Sequence, residues 1–187
     1  MLKYSNVKMT RKGYALIELL VAATIFAIII VAISSLFISG IRTQGRVLAT
    51  QEVLDQASYV MEYVSRALRM AKKDESGTCI STVGNNYELT TNGIQFIDKD
   101  DVCTEFFLDS IDKQLKKRIG GTTSDLTSSN LQVNAFRISL SGEAPADGLQ
   151  PKVTISLEML GRKIIGMAKP KIQIQTSVSQ RNLDMSP

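Results

Sequence analysis

The chain has 187 residues, 44% of them apolar, a formal charge of +4 and no histidine. That length suits one domain plus an appended segment. Without histidine, Ser-His-Asp triads, HExxH zinc sites and imidazole proton shuttles fall away together. Two cysteines are too few for a Cys-only metal centre, and no nucleophile motif or phosphate loop points to an enzyme or a cofactor. The charge is unevenly placed. Lys3, Lys8, Arg11 and Lys12 stand in the first 13 residues with no acid among them, so removing those four cations from +4 leaves residues 14–187 at zero. A balanced chain supplies no electrostatic drive toward nucleic acid.

From Gly13 onward the sequence turns apolar. Glu18 is the one charge, and 23 uncharged residues separate it from Arg42. At about 1.5 Å per residue that run makes a helix of roughly 35 Å, against a hydrocarbon core of about 30 Å. Basic residues ahead of it hold residues 1–13 in the cytoplasm and send the rest across, giving one span with the N-terminus inside. A secretory h-region is shorter, about 7–15 residues. A carboxylate costs about 2.5–3.5 kcal/mol at the centre of a membrane helix, which marks Glu18 for a functional reading.

Lys12-Gly13-Tyr14-Ala15-Leu16-Ile17-Glu18-Leu19-Leu20-Val21 resembles the type IV prepilin signature, shared by type IV pilins and the pseudopilins of type II secretion. The resemblance implies that a prepilin peptidase cuts after Gly13 and methylates the new terminus at Tyr14. Glu18 is then the fifth residue of the mature chain, where it serves assembly. Tyr14 stands where phenylalanine is usual, and Ser35 where many major subunits carry proline. A plain signal anchor with a chance glutamate is the competing explanation of the same run.

Beyond Ile41 the periodicity stays helical. Val47, Leu54, Met61 and Leu68, with Ala57, Val64 and Ala71, form an apolar stripe. Lys72 and Lys73 suit the negative pole of the helix dipole and Gly77 supplies a stop, so one helix is expected from Tyr14 to about Lys73, loosened at Gly40 and Gly45. The stripe needs a partner, either a coiled-coil neighbour or the strands downstream. Short β-like runs follow: Ile80–Val83, Tyr87–Thr90, Ile94–Ile97, Val102–Leu108 and Gln114–Ile119, with Asn92-Gly93 as a hairpin turn. Lys116-Lys117-Arg118 fits either a contact with DNA or acidic lipid or, more commonly, an edge strand guarded by charge. Residues 120–130 read as a loop by composition. A strand over Leu131–Leu140 slips at Ala135-Phe136 as at a bulge, and two alternating strands come last, over 153–159 and 172–178. Asp98, Asp100 and Asp101 lack calcium-loop spacing and read as a solvated turn. Cys79 and Cys103 are either one disulfide or two free thiols, and an exported domain favours the first.

The whole layout resembles the pilin fold, an α+β arrangement in which a long N-terminal helix packs against a C-terminal antiparallel sheet. The helix around Leu54–Arg69, with the Gln150–Val153 and Ile174–Val178 stretches, is similar to J-type minor pseudopilins. On that resemblance residues 1–13 are the leader, 14–41 the transmembrane and filament-core helix, and 42–187 a periplasmic or extracellular globular domain. The implied partners are prepilin peptidase, other pilins or pseudopilins, an inner-membrane assembly platform and membrane lipid, with no cofactor or metal. The competing class is an exported binding protein on a membrane anchor, such as an adhesin or the DNA receptor of a competence pilus.

Overall fold

The computed structural model describes residues 14–143, 149–161 and 169–181. The chain divides into two compact units, Met1–Gly45 and Arg46–Pro187. A single helix, α1, runs Tyr14–Arg69. No proline falls within it, and it continues unbroken through Gly40 and Gly45. In the first unit the described chain is this helix alone.

The helix ends at Arg69 rather than near Lys73. Arg66 and Arg69 occupy its last turn, where cations meet the carbonyl end of the dipole. The reason for the earlier stop lies just beyond: the Lys72 N–H donates to the Ile97 carbonyl at 2.9 Å, drawing the backbone into a bridge with a strand.

Eight strands follow, in two antiparallel sheets where the sequence suggested one. The first sheet is a meander of β1 (Glu88–Thr90), β2 (Gly93–Ile97), β3 (Cys103–Asp109), β4 (Gln114–Ile119) and β5 (Thr122–Asp125). The second is β6 (Gln132–Ser141), β7 (Lys152–Leu160) and β8 (Lys171–Ser179). Their apolar sides and the C-terminal part of α1 share one core. Val53, Ala57, Val60, Val64 and Leu68 of the helix meet Ile94, Phe96, Phe106 and Leu115 of the first sheet, and Val133, Ile155, Leu157 and Met159 of the second. The coiled-coil alternative is thereby replaced by helix-on-sheet packing. The buried stripe also starts later than expected, at Val53, while Val47 and Leu54 stay about half exposed.

Three local expectations are corrected. Ile80–Val83 is not a strand but part of a bent loop, because the Ile80 N–H donates to the Asp74 carboxylate and the Ser81 N–H to that of Glu88. Residues 120–130 are not all loop: β5 pairs with β4 through Ile119↔Thr122, leaving Gly120-Gly121 as a two-residue turn. Both glycines have positive φ, at 54° and 88°, the pattern of a type I′ hairpin. In consequence the basic strand β4 is an inner strand, and the edge is β5, whose one charge is Asp125. The third correction concerns Asn92-Gly93. The pairing Thr90↔Gly93 centres the turn on Thr91-Asn92, and Gly93 already belongs to β2. A Cβ there would lie 1.9 Å from the Phe106 carbonyl oxygen, so glycine is needed for close strand approach and not for turn geometry. The β6 irregularity falls between Val133 and Ala135, just ahead of its expected place.

Candidate processing and assembly site

Gly13 lies outside the described residues, and Tyr14 is the first residue of α1. Glu18 stands one turn further on and is exposed. Around them the apolar side chains have no cover within their unit: Leu16 is 72% exposed, Leu36 74% and Phe37 69%. A continuous apolar surface of this kind calls for lipid or partner helices.

Four hydroxyls along the run are satisfied locally. Thr24 Oγ1 donates to the Val21 carbonyl and Ser35 Oγ to that of Ala32, each at 2.8 Å. Ser34 Oγ donates to Ile30 and Thr43 Oγ1 to Ser39, one helical turn back. A hydroxyl bonded this way can sit in hydrocarbon without stranding a donor. Ser35, in the position where proline is common, leaves the helix intact. By length and composition α1 can cross a membrane.

The distal loop is held by two devices. Cys79 and Cys103 are disulfide-bonded, with Cα atoms 5.3 Å apart, so loop and β3 are joined covalently. Ile80 and Ile97 pack beside the bridge, and Gln95 Nε2 donates to the Cys79 carbonyl at 2.5 Å. Sequence reasoning missed the second device. Asp74, 1% exposed, accepts the backbone N–H groups of Gly77, Cys79 and Ile80, each at 2.8 Å, and those of Ser76 and Thr78 at 3.1 and 3.4 Å. Burial alone would raise its pKa. The bonds from Ile80, Cys79, Ser76 and Gly77 outweigh burial and hold the carboxyl well below its ordinary range. The signal was present in Asp74-Glu75-Ser76-Gly77, an Asx-turn sequence.

The basic triplet is engaged within the fold. Lys116 Nζ bridges Asp109 and Asp112 at 2.8 and 2.6 Å, and those bonds raise its pKa. Lys117 lies over the Tyr63 ring at 4.8 Å and donates to its hydroxyl at 2.9 Å. Arg118 pairs with Glu105 at 2.6 Å and covers the Phe107 ring. This arrangement braces the sheet and offers no unpaired basic stripe to a phosphate backbone. In the acidic turn Asp98 accepts the N–H groups of Asp100 and Val102, while Asp101 pairs with Lys72 at 2.7 Å.

An apolar helix with one exposed carboxylate near its start, followed by a disulfide-braced α+β domain, suits a protein with a single membrane anchor. Residues 8–34 match the family model for the Prokaryotic N-terminal methylation motif, so the chain carries a type IV pilin-like processing signal, and with the helix-then-sheets fold this supports the pilin-like family. No curated protein and no solved structure matches the chain at a significant level.

Proposed function

We propose that this chain is a minor pilin or pseudopilin, a non-catalytic filament subunit cleaved after Gly13 and methylated at Tyr14. One observation carries the reading: the methylation motif at residues 8–34 runs into a helix whose apolar side chains are exposed and whose Thr24 and Ser34 hydroxyls are bonded to its own backbone. In the cytoplasmic membrane, with its N-terminus inside, the helix rests in lipid. On assembly it exchanges lipid for the helices of neighbouring subunits, and its backbone stays satisfied throughout. The domain from residue 42 onward then stands outside the membrane.

Glu18 gives that exchange a register. Cleavage creates an ammonium at Tyr14, and the Glu18 carboxylate receives the ammonium of an axially staggered neighbour. Glu18→Ala should leave membrane level and cleavage near normal and remove most of the protein from sheared filaments, while Glu18→Asp should retain part of the incorporation. Normal incorporation of Glu18→Ala would refute the pairing. The competing reading, a receptor for DNA, has no support from Lys116, Lys117 and Arg118, whose partners are Asp109, Tyr63 and Glu105.

A further inference from the structure

The turn between β3 and β4 holds an apolar side chain out in water by several polar interactions. Ile111 is 92% exposed. The Asp109 carboxylate accepts the N–H groups of Ile111 and Asp112 at 2.9 and 3.3 Å, and Lys116 ties Asp109 to Asp112. The Lys113 carbonyl accepts the Val133 N–H at 2.8 Å, anchoring the far side of the turn to β6. A turn with this bracing loses little conformational freedom when its tip is bound.

At the opposite end of the same hairpin lies a groove of about 680 Å³ between α1 and the first sheet. Tyr59, Tyr63, Met70, Phe106 and Ile119 line it, and the loop carrying Asp98 and Asp100 forms one rim. Tyr63 stands edge-on to Phe106 with ring centroids 6.0 Å apart, giving the groove an aromatic wall. Thr104↔Ile119 pair at the groove end of the hairpin and Asp109↔Gln114 at the Ile111 end. A strand rise of about 3.4 Å per residue puts those ends about 17 Å apart.

Resting on the filament reading above, we propose that Ile111 of one copy enters the groove of a second copy of this chain. Knob and hole are separate surfaces at opposite ends of one hairpin, so a head-to-tail contact leaves the second copy's knob free for a third, and such a contact repeated without closing builds a helical filament. Charge fits the same pairing. Lys113, next to the knob, has no ion pair among the described residues. The rim sequence Asp98-Lys99-Asp100-Asp101 holds three carboxylates, against which stand Lys99 and Lys72. The second copy's Lys113 therefore meets a rim with net negative charge.

The test is site-specific photo-crosslinking in cells making two differently tagged full-length copies. A benzophenone amino acid replaces Ile111, and the crosslinked peptide is identified by mass spectrometry. The expected product joins the two tags, with the second end within Tyr59–Met70 or Asp98–Phe106. Lys113→Glu should lower its yield by up to about fivefold, and adding Asp100→Lys should restore it. A crosslink to a different protein, a self-crosslink mapping elsewhere, or no crosslink overturns the proposal. Cleavage after Gly13 and filament incorporation are scored in the same cells. If both occur without the self-crosslink, this contact fails and the filament reading stands; if neither occurs, the filament reading itself fails.

Discussion

Asp74 offers a stringent test of the physical account of the globular unit. Replacing it with asparagine keeps size and shape but turns one acceptor oxygen into an NH2 group facing backbone N–H groups. The donors at stake include those of Cys79 and Ile80, both within the buried loop and each 2.8 Å from Oδ2. A buried donor left without a partner costs about 1–3 kcal/mol, and bonds to a charged acceptor lie at the strong end. Asp74→Asn should therefore destabilise the unit by about 3–5 kcal/mol, a large share of a typical domain's stability. The pH dependence is a second, independent arm. The folded pKa lies below the unfolded value near 3.8, so the contribution is fully present above pH 4 and is lost as pH falls toward the folded value. Urea unfolding of the full chain in detergent, followed by tyrosine fluorescence and circular dichroism between pH 7 and 2.5, measures both. The wild type should lose stability below about pH 4 more steeply than Asp74→Asn. A loss under about 1 kcal/mol, or parallel pH profiles, would refute the reasoning.

Two further outcomes follow from the same unit. Both cysteines should resist alkylation until reduced, and replacing Cys79 and Cys103 by serine should cost about 3.5 kcal/mol in the chain-entropy picture for a separation of 24 residues; free labelling of both in native protein would contradict the bond. Gly93→Ala should prevent normal pairing of β2 with β3, since its Cβ would meet the Phe106 carbonyl at 1.9 Å. A folded Gly93→Ala protein with unchanged unfolding midpoint would show that the strands part without penalty.

The long helix and the last two strands were legible because their periodicity runs far enough to outweigh local composition. The apolar run with Glu18 and the faultless alternation of Val153, Ile155, Leu157 and Met159 are such cases. What misled was local chemistry overruled by contacts distant in sequence. Lys72 and Lys73 suit a helix end, yet the Ile97 carbonyl takes the Lys72 N–H and the helix stops at Arg69. Ile80–Val83 has strand composition, but Asp74 takes the Ile80 N–H and Glu88 that of Ser81, donors a strand ladder would use. Gly120-Gly121 was a readable hairpin signal hidden in a Ser/Thr-rich stretch. Of the site, Glu18 and the apolar run were legible from charge and length alone. The groove and the Ile111 tip were not, because both depend on which strands lie side by side.

Every step of the proposed assembly begins with maturation at the Gly13–Tyr14 bond, which intact-mass measurement with N-terminal sequencing of membrane-extracted protein reads out. The predicted result is a chain that begins at methylated Tyr14 and retains Glu18 as its fifth residue. A terminus within residues 35–45, the product of ordinary signal peptidase, or an uncut chain still beginning at Met1 would contradict it.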